Sequence, residues 1–282
     1  YNPNMTRRTV FASAAGLALA QSRSHAQVAP AGRLKQGVSR WCFGKMSLDD
    51  LCREAVRLGI SGIDLIPYKD WPVVQKFGLT PSMTPGAGTI PDGWNRKENH
   101  EKLEREMREN IERAAAAKVP NVITFSGNRR GMSDEEAKEN CAVGLKRVAK
   151  MAEDKGVTIN IELLNSKVDH KDYQCDHTAW GVDVCKRIDS PRVKLLYDIY
   201  HMQIMEGDVI RTIRDNFQYI AHFHTGGVPG RHELDGTQEL NWGTVAKAIA
   251  DLGFQGFFSH EFVPTAKDPI ASLAAAVKTC SV

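Results

Sequence analysis

The chain has few cysteines, and no two of them stand at the Cys-x-x-Cys spacing. Its six cysteines are spread between Cys42 and Cys280. A small disulfide-stapled fold needs a denser set, and a zinc ribbon needs closely spaced pairs, so both classes are excluded. We expect most of these thiols to pack as small apolar side chains. A bond between Cys175 and Cys185 stays open as an alternative.

Net charge of one sign is also missing once the N-terminus is set aside. Residues 1–26 contain three arginines and no acid, so without them the formal net charge falls from +3 to zero. A neutral chain has no overall electrostatic attraction to nucleic acid or to an anionic membrane. We therefore expect a small-molecule partner, with no nucleic acid and, after removal of the N-terminal segment, no membrane.

Long apolar runs of the kind that span a bilayer are absent as well. The mildly apolar stretch 10–20 follows a twin-arginine pattern at Thr6–Phe11 and precedes a small-x-small site at Ser24–Ala26. This combination is typical of a twin-arginine signal peptide. We predict a signal peptide over residues 1–26, a linker over 27–35 and export to the periplasm. A disordered N-terminal tail is the alternative.

No Gly-x-Gly-x-x-Gly motif follows an apolar run, which removes the main argument for a dinucleotide fold. Short runs rich in Val, Ile, Leu and Phe are present instead. They are too continuous for half-exposed strands and predict buried parallel ones. The predicted strands are residues 37–43, 62–67, 79–83, 121–126, 158–164, 193–199, 219–224 and 256–262.

Amphipathic segments with recognisable ends separate these strands. Ser47 and Ser133 each precede acidic residues, as helix N-caps do, and Gly59 and Gly156 follow the ends of the same helices. Eight strand–helix units with short connections favour a parallel sheet closed into a barrel, and about 250 residues is the usual size of that fold. We predict an α/β fold, a single (β/α)8 TIM barrel over residues 36–282.

Four polar side chains end four successive predicted strands. Strands five to eight end in Glu162, Asp198, His224 and Glu261, at intervals of 36, 26 and 37 residues. The carboxyl ends of parallel barrel strands meet at one face, where active sites form, so we expect the four to converge. We predict that they bind one divalent metal ion, because isolated charges at a barrel mouth are costly without a cation. The alternative is that each acid caps a helix or pairs with Lys or Arg.

The ligand types predict the chemistry of this site. Three carboxylates and an imidazole, without thiolate, favour Mn²⁺ or Mg²⁺, with Co²⁺ or Zn²⁺ able to compete. Such an ion can chelate an α-hydroxycarbonyl compound and stabilise the enediolate formed when the adjacent C–H proton leaves. We expect Glu162 and Glu261 to be catalytic, one as base and the other as acid.

Four further residues are predicted to bind substrate. His201, three residues beyond Asp198, can donate to a substrate oxygen, and Asn165 stands in the same relation to Glu162. Arg231, in a glycine-rich segment after strand seven, can hold an oxygen or a carboxylate with its planar fork. Trp41, at the end of strand one, is predicted to form an apolar wall. Each of them has an ordinary core or surface role as its alternative.

Two segments carry a family resemblance. Residues 198–207 (DIYHMQIMEG) and 227–233 (GVPGRHE) resemble the hydroxypyruvate isomerase group of the xylose isomerase-like barrels, and the resemblance extends from Lys35 to the C-terminus. It implies a metal site of Glu, Asp, His or Gln, and Glu, with the two glutamates moving protons. It also implies that His201 and Arg231, which match a His and an Arg of the related epimerases, hold substrate. Barrels of this group often form homo-oligomers, so the resemblance allows a homo-oligomer here.

The resemblance leaves the reaction open. Glutamine is common at the strand-seven ligand position of hydroxypyruvate isomerases, whereas His224 stands here, as in ketose 3-epimerases. An exported enzyme suits a sugar or keto-sugar better than hydroxypyruvate. The favoured function is a metal-dependent isomerase. A ketose 3-epimerase and a metal-dependent lyase acting on a keto-glycoside are the nearest alternatives, followed by an apurinic endonuclease and a non-catalytic sugar-binding barrel.

Overall fold

The computed structural model describes residues 32–282. The predicted signal peptide, 1–26, and most of the predicted linker therefore lie outside the described residues. The end of that linker already contacts the barrel, since Leu34 is buried and Arg33 N donates to Val282 O at 2.8 Å. Among residues 32–282, every helix is too short or too polar to cross a bilayer.

Nine strands, all paired in parallel, surround a common axis. They are β1 (Lys35–Ser39), β2 (Gly62–Asp64), β3 (Thr80–Pro81), β4 (Thr84–Ala87), β5 (Asn121–Thr124), β6 (Thr158–Glu162), β7 (Val193–Asp198), β8 (Ile220–Thr225) and β9 (Phe257–His260). Their order is β3-β2-β1-β9-β8-β7-β6-β5-β4. The strands are almost wholly buried, as their continuous apolar sequences predict.

The two ends of this order, β3 and β4, are halves of one interrupted strand. Only Ser82 and Met83 separate them, and β3 pairs with β2 while β4 pairs with β5. The backbone of the interruption remains bonded, because Asn121 Nδ2 donates to Ser82 O at 2.8 Å and Ile66 N donates to Met83 O at 3.1 Å. The sheet thus closes around eight strand positions, and the predicted (β/α)8 TIM barrel is confirmed.

Helices surround the sheet. They are α1 (Leu48–Arg57), α2 (Trp71–Lys76), α3 (His100–Ala116), α4 (Asp134–Lys155), α5 (Thr178–Ile188), α6 (Ile199–Met205), α7 (Val209–Asn216), α8 (Trp242–Asp251) and α9 (Pro269–Cys280). The predicted caps are confirmed: Ser47 accepts from Asp50 N at 3.1 Å and Ser133 from Glu136 N at 3.2 Å. Gly156 ends α4 at φ 69°, a conformation that glycine adopts without strain.

The predicted end of strand one is wrong. β1 stops at Ser39, and Arg40–Phe43 form a short 3-10 turn instead of continuing the strand. Arg40 stabilises this turn, because its guanidinium donates to Phe43 O at 2.8 Å and to Met46 O at 2.9 Å. Trp41 therefore sits on a turn at the barrel mouth, with half of its surface exposed. The alternative disulfide is also wrong, since Cys175 and Cys185 are free thiols.

Candidate metal centre and active site

The structure brings the four predicted metal ligands together. Glu162 and Asp198 are the last residues of β6 and β7, His224 is next to last in β8, and Glu261 follows β9 directly. One ligand atom from each side chain lies within 4.8 Å of the other three. All four side chains are buried. Three acids and an imidazole thus share one small volume at the carboxyl end of the barrel, where this fold builds its active sites.

Asp64 sets the orientation of His224. His224 Nε2 lies 2.6 Å from Asp64 Oδ2, while Asp64 Oδ1 accepts from Ser82 Oγ at 2.7 Å. Because a carboxylate only accepts, the ring proton belongs on Nε2 and the lone pair of Nδ1 faces the other acids. That Nδ1 is buried without a hydrogen-bond partner, yet it lies 2.6 Å from Glu261 Oε2. Two lone pairs face each other at this distance, which is unfavourable. A cation bound by both Nδ1 and the carboxylates removes that repulsion.

The pKa values of Glu162 and His224 are shifted by the other charged groups that are buried beside them. Burial, with the charges of Glu261 and Asp198, raises the pKa of Glu162 to about 7. Burial by itself lowers the pKa of His224, but the charge of Glu261 and the hydrogen bonds to neighbouring acids raise it well above its usual value. Like charges packed out of water oppose each other's ionisation. The site therefore favours added positive charge, as a proton or as a metal ion.

The donor set fits a hard divalent ion. Three carboxylates and one neutral imidazole nitrogen are oxygen-rich ligands of the kind that Mn²⁺ and Mg²⁺ take, and Co²⁺ or Zn²⁺ can also accept them. Cys42 lies beside the site but does not alter this fit. Burial and the neighbouring charge of Glu261 raise the pKa of Cys42, so that it remains a thiol.

Arg231 lies against two of the ligands. Its Nη2 donates to Asp198 Oδ2 at 2.6 Å and also to Glu261 Oε2, and its guanidinium stacks 4.8 Å from the ring centre of Tyr200. Burial opposes the charge of Arg231, but Asp198 and Glu261 outweigh it and raise the pKa of the guanidinium. Its Nε is buried without a partner and remains free to donate. A permanent cation with a spare donor therefore borders the acidic cluster.

Asn165 fixes the proton position of His201. Asn165 Oδ1 accepts the backbone N–H groups of Val168 and Asp169, at 3.0 and 2.9 Å, which turns its amide nitrogen toward the ring. Asn165 Nδ2 lies 2.7 Å from His201 Nδ1, so this ring nitrogen accepts and Nε2 carries the proton. Burial lowers the pKa of His201 to about 3, which keeps the ring neutral.

His201 and Arg231 then present two donors to one place. His201 Nε2 and Arg231 Nη1 lie 3.0 Å apart, and because both nitrogens then carry protons, this contact is favourable only with an acceptor atom beside the pair; both side chains line the cavity. An oxygen atom of a bound molecule can accept from both. Asn165 lies behind His201, with its amide committed to His201 and Asp169, so its predicted contact with substrate is replaced by a contact with the ring.

Trp41 joins the acidic cluster to the barrel mouth. Its indole Nε1 donates to Glu261 Oε1 at 2.5 Å, and its ring forms part of the cavity wall. Glu261 is thus held on both oxygens, by Trp41 on one and by Arg231 on the other. Although burial opposes ionisation, the charges of His224 and Arg231 lower the pKa of Glu261. The two glutamates therefore differ, with Glu261 stabilised as an anion and Glu162 not.

Several residues of the site were missed in the sequence. Asp64 ends β2 and could have been found by the rule that found the four ligands, applied to the second strand. Asp169 and His170 lie in the loop after β6, and Glu106 and Asn110 on α3, and all four line the cavity. No strand-end position marks these four, so only the folded arrangement identifies them.

We predict that Asp64→Asn weakens Mn²⁺ binding by about 10- to 100-fold. With Ser82 holding Oδ1, the new amide nitrogen faces His224 Nε2 and donates to it, which moves the ring proton to Nδ1 and blocks the ligand position. Titration with Mn²⁺ against a competing chelator measures the change. The partly exposed Asp49→Asn serves as control, and an unchanged affinity of Asp64→Asn contradicts the assignment.

Asp64, His222 and His224 form a second group of possible ligands among the described residues. The separations there match ordinary hydrogen bonds, since His222 Nε2 lies 3.1 Å and His224 Nε2 2.6 Å from Asp64 Oδ2. The Asp64 carboxylate accepts a hydrogen bond from each imidazole, which accounts for this group. We therefore assign it the role of orienting His224.

Comparison with known proteins agrees with the geometry. Residues 52–279 match the family model described as a xylose isomerase-like TIM barrel. The crystal structure of an AP endonuclease, family 2, from Brucella melitensis has a TM-score of 0.76 at 24% identity, over 86% of this chain and 97% of that chain. At this identity the likeness shows the fold alone.

Curated relatives match over shorter segments. A "Putative hydroxypyruvate isomerase" of Danio rerio is 29% identical over 149 residues, which are 53% of this chain and 52% of the relative. A "2-oxo-tetronate isomerase" of Cupriavidus necator is 35% identical over 118 residues, which are 42% of this chain and 45% of the relative. The chain thus spans about half the length of these relatives. With most of its length matched by one family model, the chain belongs to the xylose isomerase-like TIM barrel family.

Proposed function

We propose that this protein is a divalent-metal-dependent isomerase of a small hydroxycarbonyl or keto-sugar substrate. The observation that carries the proposal is the convergence of Glu162, Asp198, His224 and Glu261 within 4.8 Å in a buried site. The relatives named as hydroxypyruvate and 2-oxo-tetronate isomerases support the substrate class. We propose Mn²⁺ or Mg²⁺ as the ion.

The residues around the site suit a proton transfer. A bound divalent ion would supply the charge that polarises a substrate carbonyl. Glu162, whose pKa lies near 7, removes the proton from the carbon next to the carbonyl, and an enediolate results. Glu261, held as an anion, takes the proton of the neighbouring hydroxyl and passes it to the former carbonyl oxygen. The protonated Glu162 returns its proton to the former carbonyl carbon, which completes the isomerisation. His201 Nε2 and Arg231 donate to substrate oxygens and hold them in place.

A ketose 3-epimerase is the second candidate. His224 favours it, because an imidazole stands at the ligand position where hydroxypyruvate isomerases commonly have glutamine. The same two glutamates would serve, since Glu162 and Glu261 both border the cavity. The difference lies in the carbon that receives the proton. In an epimerase the proton returns to the carbon it left, on the opposite face.

Product identification in D₂O tests both candidates. We expect the Mn²⁺-loaded protein to incorporate deuterium beside the carbonyl of at least one compound among hydroxypyruvate, tetroses, ketohexoses and keto-glycosides. An aldose–ketose pair identifies an isomerase, an inverted third carbon an epimerase, and a lost substituent a lyase. If no compound of the panel exchanges deuterium, the proposed function is wrong. A Glu162→Gln sample under the same conditions corrects for uncatalysed exchange.

A further inference from the structure

The cavity above the acidic cluster is divided into two chemically different halves. Its total volume is about 690 Å³. The half formed by β6 to β9 presents Glu162, Glu261, His201 and Arg231. The half formed by β4, β5 and the segments that follow them presents mostly carbon, with Glu106 and Asn110 as its polar side chains. Its apolar residues are Pro85, Ala87, Ile90, Ile123 and Phe125.

The size of this cavity exceeds what a three-carbon substrate needs. A volume of about 690 Å³ equals roughly 20 waters at about 30 Å³ each, and hydroxypyruvate would displace only a few of them. It lies within the range of roughly 300–1,000 Å³ typical of sites that enclose much larger ligands. A small substrate would leave the apolar half filled with poorly bonded water, which is unfavourable.

The apolar half belongs to the substrate site. It is continuous with the acidic cluster, since both halves line one cavity, and Trp41 lies at the mouth beside Glu261. Polar groups are few on this side. Asn110 Nδ2 donates to Gly86 O at 2.6 Å and Asn110 Oδ1 accepts from Arg113 Nη1 at 3.4 Å. Glu106 is therefore the main hydroxyl acceptor there. A molecule that fills the whole cavity is therefore polar at one end and apolar at the other.

We propose that the substrate is a keto-sugar carrying a second ring, a keto-glycoside with an apolar aglycone, rather than a free three- or four-carbon hydroxycarbonyl compound. This inference rests on the proposed function. The keto-sugar faces the acidic cluster and donors of β6 to β9, and the aglycone packs against Ile90, Ile123 and Phe125. Burial of an aromatic ring in this half improves kcat/KM roughly 10- to 100-fold over a free ketose.

The test compares phenyl 3-keto-β-D-glucoside with D-fructose and hydroxypyruvate, using the Mn²⁺-loaded full chain. Ile90→Trp fills the apolar half from a half-buried loop position, and Ile210→Trp is the matched control, half-buried on α7 away from the cavity. We expect Ile90→Trp to lower kcat/KM for the phenyl glycoside at least about tenfold more than it lowers kcat/KM for D-fructose. Ile210→Trp leaves both values near those of the wild type.

A second measurement separates this inference from the proposed function. Calorimetric titration with unreactive phenyl β-D-glucoside reports binding without turnover, and Phe125→Leu supplies a gentler variant that weakens it several-fold. If the wild type binds phenyl β-D-glucoside and Ile90→Trp abolishes this binding, the two-part site is supported. That conclusion holds even if no compound exchanges deuterium, because the absence of exchange contradicts only the proposed isomerase. The inference alone is overturned if D-fructose or hydroxypyruvate is turned over as fast as the phenyl glycoside and Ile90→Trp changes neither rate.

Discussion

Glu162→Gln is expected to lower kcat about 10³-fold or more while the fold remains intact. The change removes a proposed metal ligand and the group that takes the proton. Glutamine has nearly the same shape, so the surrounding side chains keep their packing. Steady-state kinetics with saturating Mn²⁺ measures the loss, and the exposed Glu101→Gln is the control. Activity above about a tenth of the wild-type value would show that Glu162 does not act in catalysis.

Stability distinguishes the two glutamates in the metal-free protein. Burial raises the pKa of Glu162, so its charge opposes folding, and Glu162→Gln is expected to leave the melting temperature unchanged or higher. Glu261 is the opposite case, because Trp41 and Arg231 bond its carboxylate and its pKa is lowered. Glu261→Gln should abolish turnover equally but lower the melting temperature. Equal melting temperatures for the two variants would contradict this electrostatic difference.

Metal removal is expected to abolish activity and to destabilise the fold. Without a cation, Glu162, Asp198 and Glu261 crowd one buried volume, so a chelated sample should be inactive and regain activity with Mn²⁺ or Mg²⁺. At about 100 times its Kd, an ion that binds only the folded state adds roughly 2.7 kcal/mol, or about 5–10 °C in Tm for a chain of this length.

Calorimetry with and without Mn²⁺ measures this shift. Glu162→Gln provides the matched comparison, because the loss of one ligand should reduce the Mn²⁺-dependent shift in Tm without preventing folding. Elemental analysis of the chelated sample confirms that the metal is gone. Full activity on the identified substrate in a metal-free sample would rule out metal-dependent catalysis.

The positions of the four candidate ligands could be predicted because of the way a parallel barrel is built. Each strand begins at one face and ends at the other, so the last polar residue of a strand has a known location before any contact is known. Glu162 and Asp198 are the last residues of β6 and β7, and His224 and Glu261 lie within one residue of the ends of β8 and β9. The caps at Ser47 and Ser133 were also predictable, since a capping bond spans only three residues.

Contacts between distant strands, and the directions in which individual polar side chains point, could not be predicted in this way. Asp64 and His224 are 160 residues apart and meet only because the barrel closes. The turn that carries Trp41 depends on hydrogen bonds from the guanidinium of Arg40 to two backbone oxygens. The proton position of His201 depends on the direction of the Asn165 amide, which two backbone N–H groups decide. None of these directions follows from sequence spacing.

The amino-acid sequence by itself therefore determined the barrel and the identity of its acidic cluster, because strand periodicity and strand-end position are local properties. Only the tertiary structure decided how that cluster is supported and what lies above it. Asp64 turns the lone pair of His224 inward, and β4 and β5 supply an apolar wall opposite the charges. Both depend on side chains that barrel closure brings together from far apart in the chain, and side-chain direction at such contacts is set by packing.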